Sequence, residues 1–303
     1  MNQFICISGC TASGKSSFAL EIAKFFENPV IINTDALQVY NCWKILTDRP
    51  SAKNPPHDLY GHISYNNNYS VGIWIKDVER VLRLNSNKSK TFIFVGGTGL
   101  YFNALLNGFS KIPPIPKEIC EFANTQDLTF FLEYLKKNDP HVLEKIDIKN
   151  RRRVQRAWEV LKTTDKSISY WQSKNALPLV ALSKATLLLV QIEKESLVKK
   201  ISSRVVNMLN SGVIEEVEKV YKKCWDIKLP YSRAIGAQDI VHYLNGDICL
   251  EKLSQNIEFK TRQFAKRQRT WQRNYMKNWI SFDPSKINKS GIKEIVKKVK
   301  ASN

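Results

Sequence analysis

Gly9-Cys10-Thr11-Ala12-Ser13-Gly14-Lys15-Ser16 decides how this chain is read. It fits G-x-x-x-x-G-K-[ST], the loop that wraps phosphate groups in backbone N–H donors. Its surroundings fit as well. Phe4-Ile5-Cys6-Ile7-Ser8 ahead of it is apolar enough for a buried strand, and Phe18, Ile22, Phe25 and Phe26 behind it recur at helical spacing. Strand, glycine turn and helix are what an anion nest needs. The N–H groups curl around oxygen, and the helix N-terminus adds partial positive charge. Lys15 is expected on the terminal phosphate, and the Ser16 hydroxyl on Mg²⁺. The motif names a ligand group and leaves the reaction open.

Outward from the loop, Val30 to Asp35 reads as a second buried strand, residues 50 to 70 as irregular, Val71 to Leu84 as a helix and Thr91 to Val95 as a third strand. The expected fold class is therefore α/β: a P-loop-type parallel sheet flanked by helices. Asp35 at a strand's carboxyl end either caps a following helix or faces the same crevice as the loop. The third strand runs into Gly96-Gly97-Thr98, where a nucleotide-cleaving P-loop protein usually carries an acid for Mg²⁺. Small residues there admit a bulky ligand or a close-packed helix.

Pro113, Pro114 and Pro116 mark a boundary. From 117 to 181 the pattern is helical, and strand character returns only at Thr186–Ile192. The expectation is a catalytic core of residues 1–116 and 182–303, with an all-helical insertion over 117–181. The helix from Arg151 opens with a cluster of bases: Lys149, Arg151, Arg152, Arg153 and Arg156. These form a solvated face or, as a group, a phosphate contact. From Leu253 to Trp279 a long helix carries Ile257, Phe264 and Trp271 on one stripe and Lys266, Arg269, Arg273 and Lys277 opposite. A last strand is expected over 278–283 and a last helix over 292–300.

The 303 residues carry 47 Lys+Arg against 28 Asp+Glu, a net charge of +19, which points to a polyanionic partner with nucleic acid ahead of membrane. Six cysteines form no C-x-x-C pair and no zinc spacing with the four histidines, as expected of a reducing cytoplasm. No apolar run reaches the roughly 18 residues of a membrane span, and no leader is expected ahead of a loop that begins at residue 9.

Taken in order, six stretches resemble the tRNA dimethylallyltransferases of bacterial type. Gly9–Ser16 is similar to their G-x-T-A-S-G-K-[ST], and Asp35-Ala36-Leu37-Gln38-Val39-Tyr40 to D-S-x-Q-x-Y. Thr47–Pro50 resembles T-A-K-P, and Gly96–Tyr101 resembles G-G-T-x-L-Y. Arg153–Val160 resembles R-x-x-R-A-L-E-V, and Thr261–Trp271 resembles T-R-Q-x-A-K-R-Q-x-T-W. The chain departs from the pattern at Ala36, at Asp48 (commonly Ala), at Cys120 and at Ala237-Gln238.

The resemblance implies transfer of a dimethylallyl group from dimethylallyl diphosphate to N6 of the adenosine 3′ of the anticodon, in tRNAs reading codons that start with U. It implies a cytoplasmic monomer that uses Mg²⁺ and acts on the anticodon stem-loop. Gly9, Cys10, Thr11, Ala12, Ser13, Gly14, Lys15 and Ser16 would hold the diphosphate. Asp35 would be the general base, with Thr98 lining the channel and Arg233 taking up charge on the leaving group. Asp35, Ala36, Leu37, Gln38 and Thr98 would meet the flipped-out base. Arg152, Arg153 and Arg156, with Lys266, Arg267, Gln268, Arg269 and Arg273, would hold tRNA. The rivals are a P-loop kinase, a prenyltransferase acting on free adenylate, and a non-catalytic RNA-binding protein.

Overall fold

The computed structural model describes residues 2–51, 54–85, 89–174, 176–287 and 289–301. The last two residues of the expected core, 302 and 303, lie outside the described residues. In chain order the elements are β1 (Gln3–Gly9), α1 (Lys15–Ala23), β2 (Pro29–Asn33), β3 (His57–Asp58), α2 (Val71–Leu84), β4 (Thr91–Gly96) and α3 (Gly99–Asn107). Five helices follow: α4 (Lys117–Thr125), α5 (Leu128–Asn138), α6 (Pro140–Lys145), α7 (Arg151–Thr164) and α8 (Ile168–Ser173). Then come β5 (Ala185–Val190), α9 (Lys194–Asn210), α10 (Val213–Cys224), α11 (Ala237–Leu244), α12 (Leu250–Tyr275), β6 (Ile280–Phe282) and α13 (Lys289–Ala301).

Six parallel strands lie in the order β3-β2-β4-β1-β5-β6. Such a sheet is buried on both faces, so its strands are apolar without interruption while successive side chains alternate sides. Ile5, Ile7, Ile31, Ile93, Val95, Leu188 and Val190 pack with Phe18 and Ile22 of α1. Their neighbours Cys6, Val30, Ile32, Phe92, Phe94 and Leu189 pack on the other face with Trp74 and Val78 of α2 and Phe102 of α3. The register Ile5↔Ile93 and Ile7↔Leu188 keeps each face continuous across strands.

Parallel alignment brings the carboxyl ends of β1, β2 and β4 together, at Gly9, Asn33 and Gly96. The approach there is close: a Cβ on Gly96 would overlap the Thr34 backbone and its hydroxyl. A third core, built around Tyr40, Trp43, Val205, Val217, Tyr231 and Ile257, fastens α9 through α12 to the loop that follows β2.

The chain divides into two compact units, one of Met1–Leu106 with Leu179–Asn303 and the other Asn107–Pro178. The first holds the sheet. The second holds α4 to α8, with its own core of Phe131, Leu135, Val142, Val154 and Trp158. Its limits differ from the 117–181 expected from the prolines. Val180 is buried in the sheet unit, and the Leu179 and Val180 N–H groups both donate to the Leu105 carbonyl at 3.1 and 3.2 Å. The two chain crossings are thereby tied together. Three elements have no counterpart among those expected: the two-residue β3 inside the stretch read as irregular, α3 beyond Gly96-Gly97-Thr98, and α11 behind the Gly236 turn.

Candidate functional site

The phosphate loop closes as its glycines permit. Gly14 caps α1 at φ 89° and Ala12 sits at φ 60°, both in the left-handed region. The Ser13 N–H donates to the Cys10 carbonyl at 3.2 Å, and the Lys15 Nζ donates to the same carbonyl at 3.2 Å. Lys15 is drawn back over the nest, where burial lowers its pKa, opposed chiefly by the Asp35 carboxylate. Burial likewise raises the Cys10 thiol, opposed by Lys15 and Arg269.

Asp35 lies two residues beyond β2 and is held from several directions. Its N–H donates to Asn33 Oδ1 at 2.8 Å, and its carbonyl accepts from Asn33 Nδ2 at 2.9 Å. Carboxylate Oδ1 accepts the N–H groups of Leu37 at 2.9 Å and Gln38 at 3.3 Å. The carboxyl is therefore oriented by a turn, not by a helix as the capping reading has it, since among the described residues no helix follows β2 before β3. Asn33, fully buried and also bonded to the Leu59 carbonyl, does much of this positioning. Sequence reading passed over it as one more strand residue.

One cleft joins these parts. Thr11, Lys15, Asp35, Leu37, Gln38 and Thr47 line it, together with Arg204, Met208, Ile257 and Phe264 from α9 and α12. Charged and hydroxyl groups of the nest thus adjoin an apolar wall, the mixture an apolar group carried on a phosphate would fill.

Several expected contacts fall elsewhere. Gln268 does not lie on the exposed face of α12 with Lys266, Arg267, Arg269 and Arg273. It is 7% exposed, its Oε1 accepts the Thr11 N–H at 2.8 Å, and its Nε2 donates to the Gly97 carbonyl at 3.0 Å. A residue assigned to tRNA is instead a brace between the phosphate loop and the end of β4. The helical period explains it, because Thr261, Ala265, Gln268 and Gln272 share the buried stripe. Gly97 is required by the same brace, since a Cβ there would overlap Gln268 Nε2.

Gln38 lines the cleft, yet its Nε2 donates to the carbonyls of Thr47 at 2.9 Å and Asp48 at 3.2 Å, so its amino group is spent on that turn. Thr98 is not a lining residue of the cleft. Its Oγ1 accepts the Ala36 N–H at 3.1 Å, and its own N–H donates to the Thr34 carbonyl at 3.2 Å, which ties β4 to the Asp35 segment. Arg233 is exposed at the end of the Pro230–Arg233 turn, with Nη2 donating to the Lys228 carbonyl at 3.2 Å. Its neighbours Ala234 and Ile235 line the cleft and the arginine does not.

On α7, Arg152 and Arg153 are exposed, and Arg156 is half-buried 3.6 Å from Glu159. Arg151 turns inward instead, bonding Gln155 and the carbonyls of Ala123 and Gln126. Sequence reading missed Arg204 of α9, whose Nη1 donates to Thr11 Oγ1 at 2.9 Å. Asp48, where the family pattern has Ala, lies 3.5 Å from that Nη1. An arginine seven residues from the turn that ends its helix carries no local mark of such a role.

Comparison with known proteins agrees with this fold. Residues 38–275 match the family model described as IPP transferase. A protein of Ruegeria sp. (strain TM1040) named tRNA dimethylallyltransferase is 41% identical over 286 residues, 93% of this chain and 96% of that one. One of the same name from Roseobacter denitrificans is 41% identical over 92% of this chain and 98% of its own. Among solved structures, the tRNA delta(2)-isopentenylpyrophosphate transferase of Staphylococcus epidermidis superposes with a TM-score of 0.71 at 26% identity, all of both chains covered. A eukaryotic dimethylallyltransferase acting on tRNA gives 0.77 over 90% of this chain and 70% of its own, at 24% identity, a likeness of fold. This chain belongs to the IPP transferase family.

Proposed function

We infer that the protein is a tRNA dimethylallyltransferase, moving a dimethylallyl group from dimethylallyl diphosphate to N6 of the adenosine next to the anticodon. The observation that carries the chemistry is the single cleft lined by both Lys15 and Asp35. In this reading the allylic C–O bond breaks and its electron pair leaves with the diphosphate. Lys15 and the loop N–H groups stabilise that charge where it develops. The N6 lone pair forms the new C–N bond, and its proton passes to Asp35, already oriented by the Leu37 and Gln38 N–H groups. The apolar wall from Met208, Ile257 and Phe264 suits the prenyl chain and keeps water from the allylic carbon. Arg233 adds its charge only on leaving the Lys228 carbonyl.

Mg²⁺ fits this site as a partner of the diphosphate. Among the described residues no three His, Cys, Asp or Glu side chains gather to hold a metal. Mg²⁺ needs no such cage, since it keeps several waters and takes phosphate oxygens with one or two protein ligands. Ser16, in the first turn of α1, is the residue to supply one, and the ion would offset charge on the leaving diphosphate.

A tRNA partner agrees with the net charge of +19 and with the exposed bases of α7 and α12. No helix among the described residues is long and apolar enough to cross a membrane. Work in the cytoplasm, as a monomer, is part of the same proposal. The test is incubation of unmodified tRNA with labelled dimethylallyl diphosphate or with labelled ATP, followed by mass spectrometry of the nucleosides. Prenylated adenosine from the first donor alone is expected. Label arriving from ATP, or faster reaction of free AMP than of tRNA, overturns the reading in favour of the kinase or the free-adenylate enzyme.

A further inference from the structure

Lys15 is not the only cation beside the nest. Arg204 arrives from α9, its Nη1 set between Thr11 Oγ1 at 2.9 Å and Asp48 Oδ2 at 3.5 Å. Arg204 lines both the cleft that holds Lys15 and Asp35 and an adjoining basic hollow with Lys44, Arg49 and Lys200. Arg204 and Asp48 both act on the Lys15 ammonium, the arginine lowering its pKa and the carboxylate raising it, so the three share one field.

The two ends of this ion pair are anchored unequally. The Asp48 backbone is fixed: its N–H donates to the Ile45 carbonyl at 3.0 Å, and its own carbonyl accepts Gln38 Nε2. The preceding turn is pinned by the Glu216 carboxylate, which accepts the N–H groups of Lys44, Ile45 and Leu46 at 2.8 to 2.9 Å. The Asp48 carboxylate itself is 72% exposed, whereas the Arg204 side chain is 24% exposed. An exposed carboxylate turns back into water at little cost. A guanidinium already at the wall of an anion nest offers a planar fork that matches two phosphate oxygens.

We propose that Arg204 is a second cation for the diphosphate beside Lys15, and that Asp48 is the carboxylate the diphosphate displaces from it. This rests on reading the phosphate loop as a diphosphate site. Asp48 then acts as a built-in competitor. It weakens donor binding, and it takes Arg204 back when the more highly charged product must leave. Arg204 would touch the ligand, while Asp48 is a positioning residue that acts through Arg204.

The test is calorimetric binding of inorganic pyrophosphate, with Mg²⁺ present, to the full chain and to Asp48→Asn, Arg204→Gln and the double variant. Asn is chosen because it tolerates the φ of 53° at position 48. Asp48→Asn is expected to tighten binding about threefold, the scale of an exposed ion pair. Arg204→Gln is expected to weaken it about tenfold. In the Arg204→Gln background the tightening by Asp48→Asn should shrink well below threefold, to what the carboxylate's field on Lys15 leaves, and that shrinkage is the signature of a tether. Equal tightening in both backgrounds overturns the tether, because Asp48 then acts only through its long-range field. Unchanged affinity in Arg204→Gln overturns the second cation. Thermal melting checks that each variant folds, and Arg204→Lys, which keeps the charge without the fork, should fall between wild type and Arg204→Gln. Absence of pyrophosphate binding by the wild type would strike the proposed function itself, an outcome distinct from either of these.

Discussion

In the proposed mechanism Asp35 and Lys15 meet opposite demands, one on a proton and one on a negative charge. Asp35→Asn keeps an oxygen for the Leu37 N–H but cannot take the N6 proton. It should lower transfer about 10²- to 10⁴-fold, the usual worth of a positioned base, with pyrophosphate affinity nearly unchanged. Single-turnover transfer and calorimetry check the two halves, and a variant that still transferred at the wild-type rate would remove Asp35 from the mechanism. Lys15 offers a pH signature. Burial lowers its pKa, so the ammonium is lost at lower pH than an ordinary lysine near 10.4. The diphosphate prefers the ammonium, so affinity should fall as pH rises through that lowered value. The same group costs folding free energy below its folded pKa, because the unfolded chain binds the proton more readily, and this cost fades as pH rises. Pyrophosphate titrations of wild type and Lys15→Arg across alkaline pH should diverge, with the wild type weakening first.

At the scale of the element, α12 separates two tasks that its sequence runs together. Lys266, Arg267, Arg269 and Arg273 are exposed, while Gln268 and Gln272 lie on the buried stripe beside the phosphate loop and Ser8. Replacing Arg269 and Arg273 by Ala should weaken tRNA binding and flatten its dependence on log salt by about 0.7 to 0.9 for each phosphate that is no longer neutralised. Pyrophosphate binding should be spared. Gln268→Leu should do the reverse, raising the KM for the prenyl donor by loosening Thr11 while leaving the salt slope of tRNA binding intact. Filter binding at several salt concentrations, set against donor KM, separates the two. A Gln268→Leu enzyme that bound tRNA poorly and kept its donor KM would return this residue to the RNA surface.

On the scale of the whole molecule, the paired hydrogen bonds of Leu179 and Val180 to Leu105 place the exit of the Asn107–Pro178 unit beside its entry. A short Gly-Ser linker in place of that unit should therefore leave the sheet unit folded. We expect the shortened protein to keep pyrophosphate affinity and to lose most tRNA affinity, with Arg152, Arg153 and Arg156 gone. Equal loss of both would mean that the helical unit supports the diphosphate site and is not reserved for tRNA.

The sequence by itself determined most strands of the sheet and the nest, though neither β3 nor the strand order. Apolar runs with β-branched and aromatic residues, a glycine turn and a helical period are local features, so β1, β2, β4, β5 and the loop from Gly9 to Ser16 could be read directly. So could the position of Asp35, because a parallel strand's carboxyl end faces the ligand side. Only the tertiary structure decided which way long side chains point. Gln268 lies 257 residues from its partner Thr11, and Arg204 lies 193 residues from the same loop. A glutamine among arginines and a lone arginine in a helix look like surface until packing turns one inward and brings the other to the nest. Such bonds between distant parts of the chain follow from how the helices pack, which no local window of residues records.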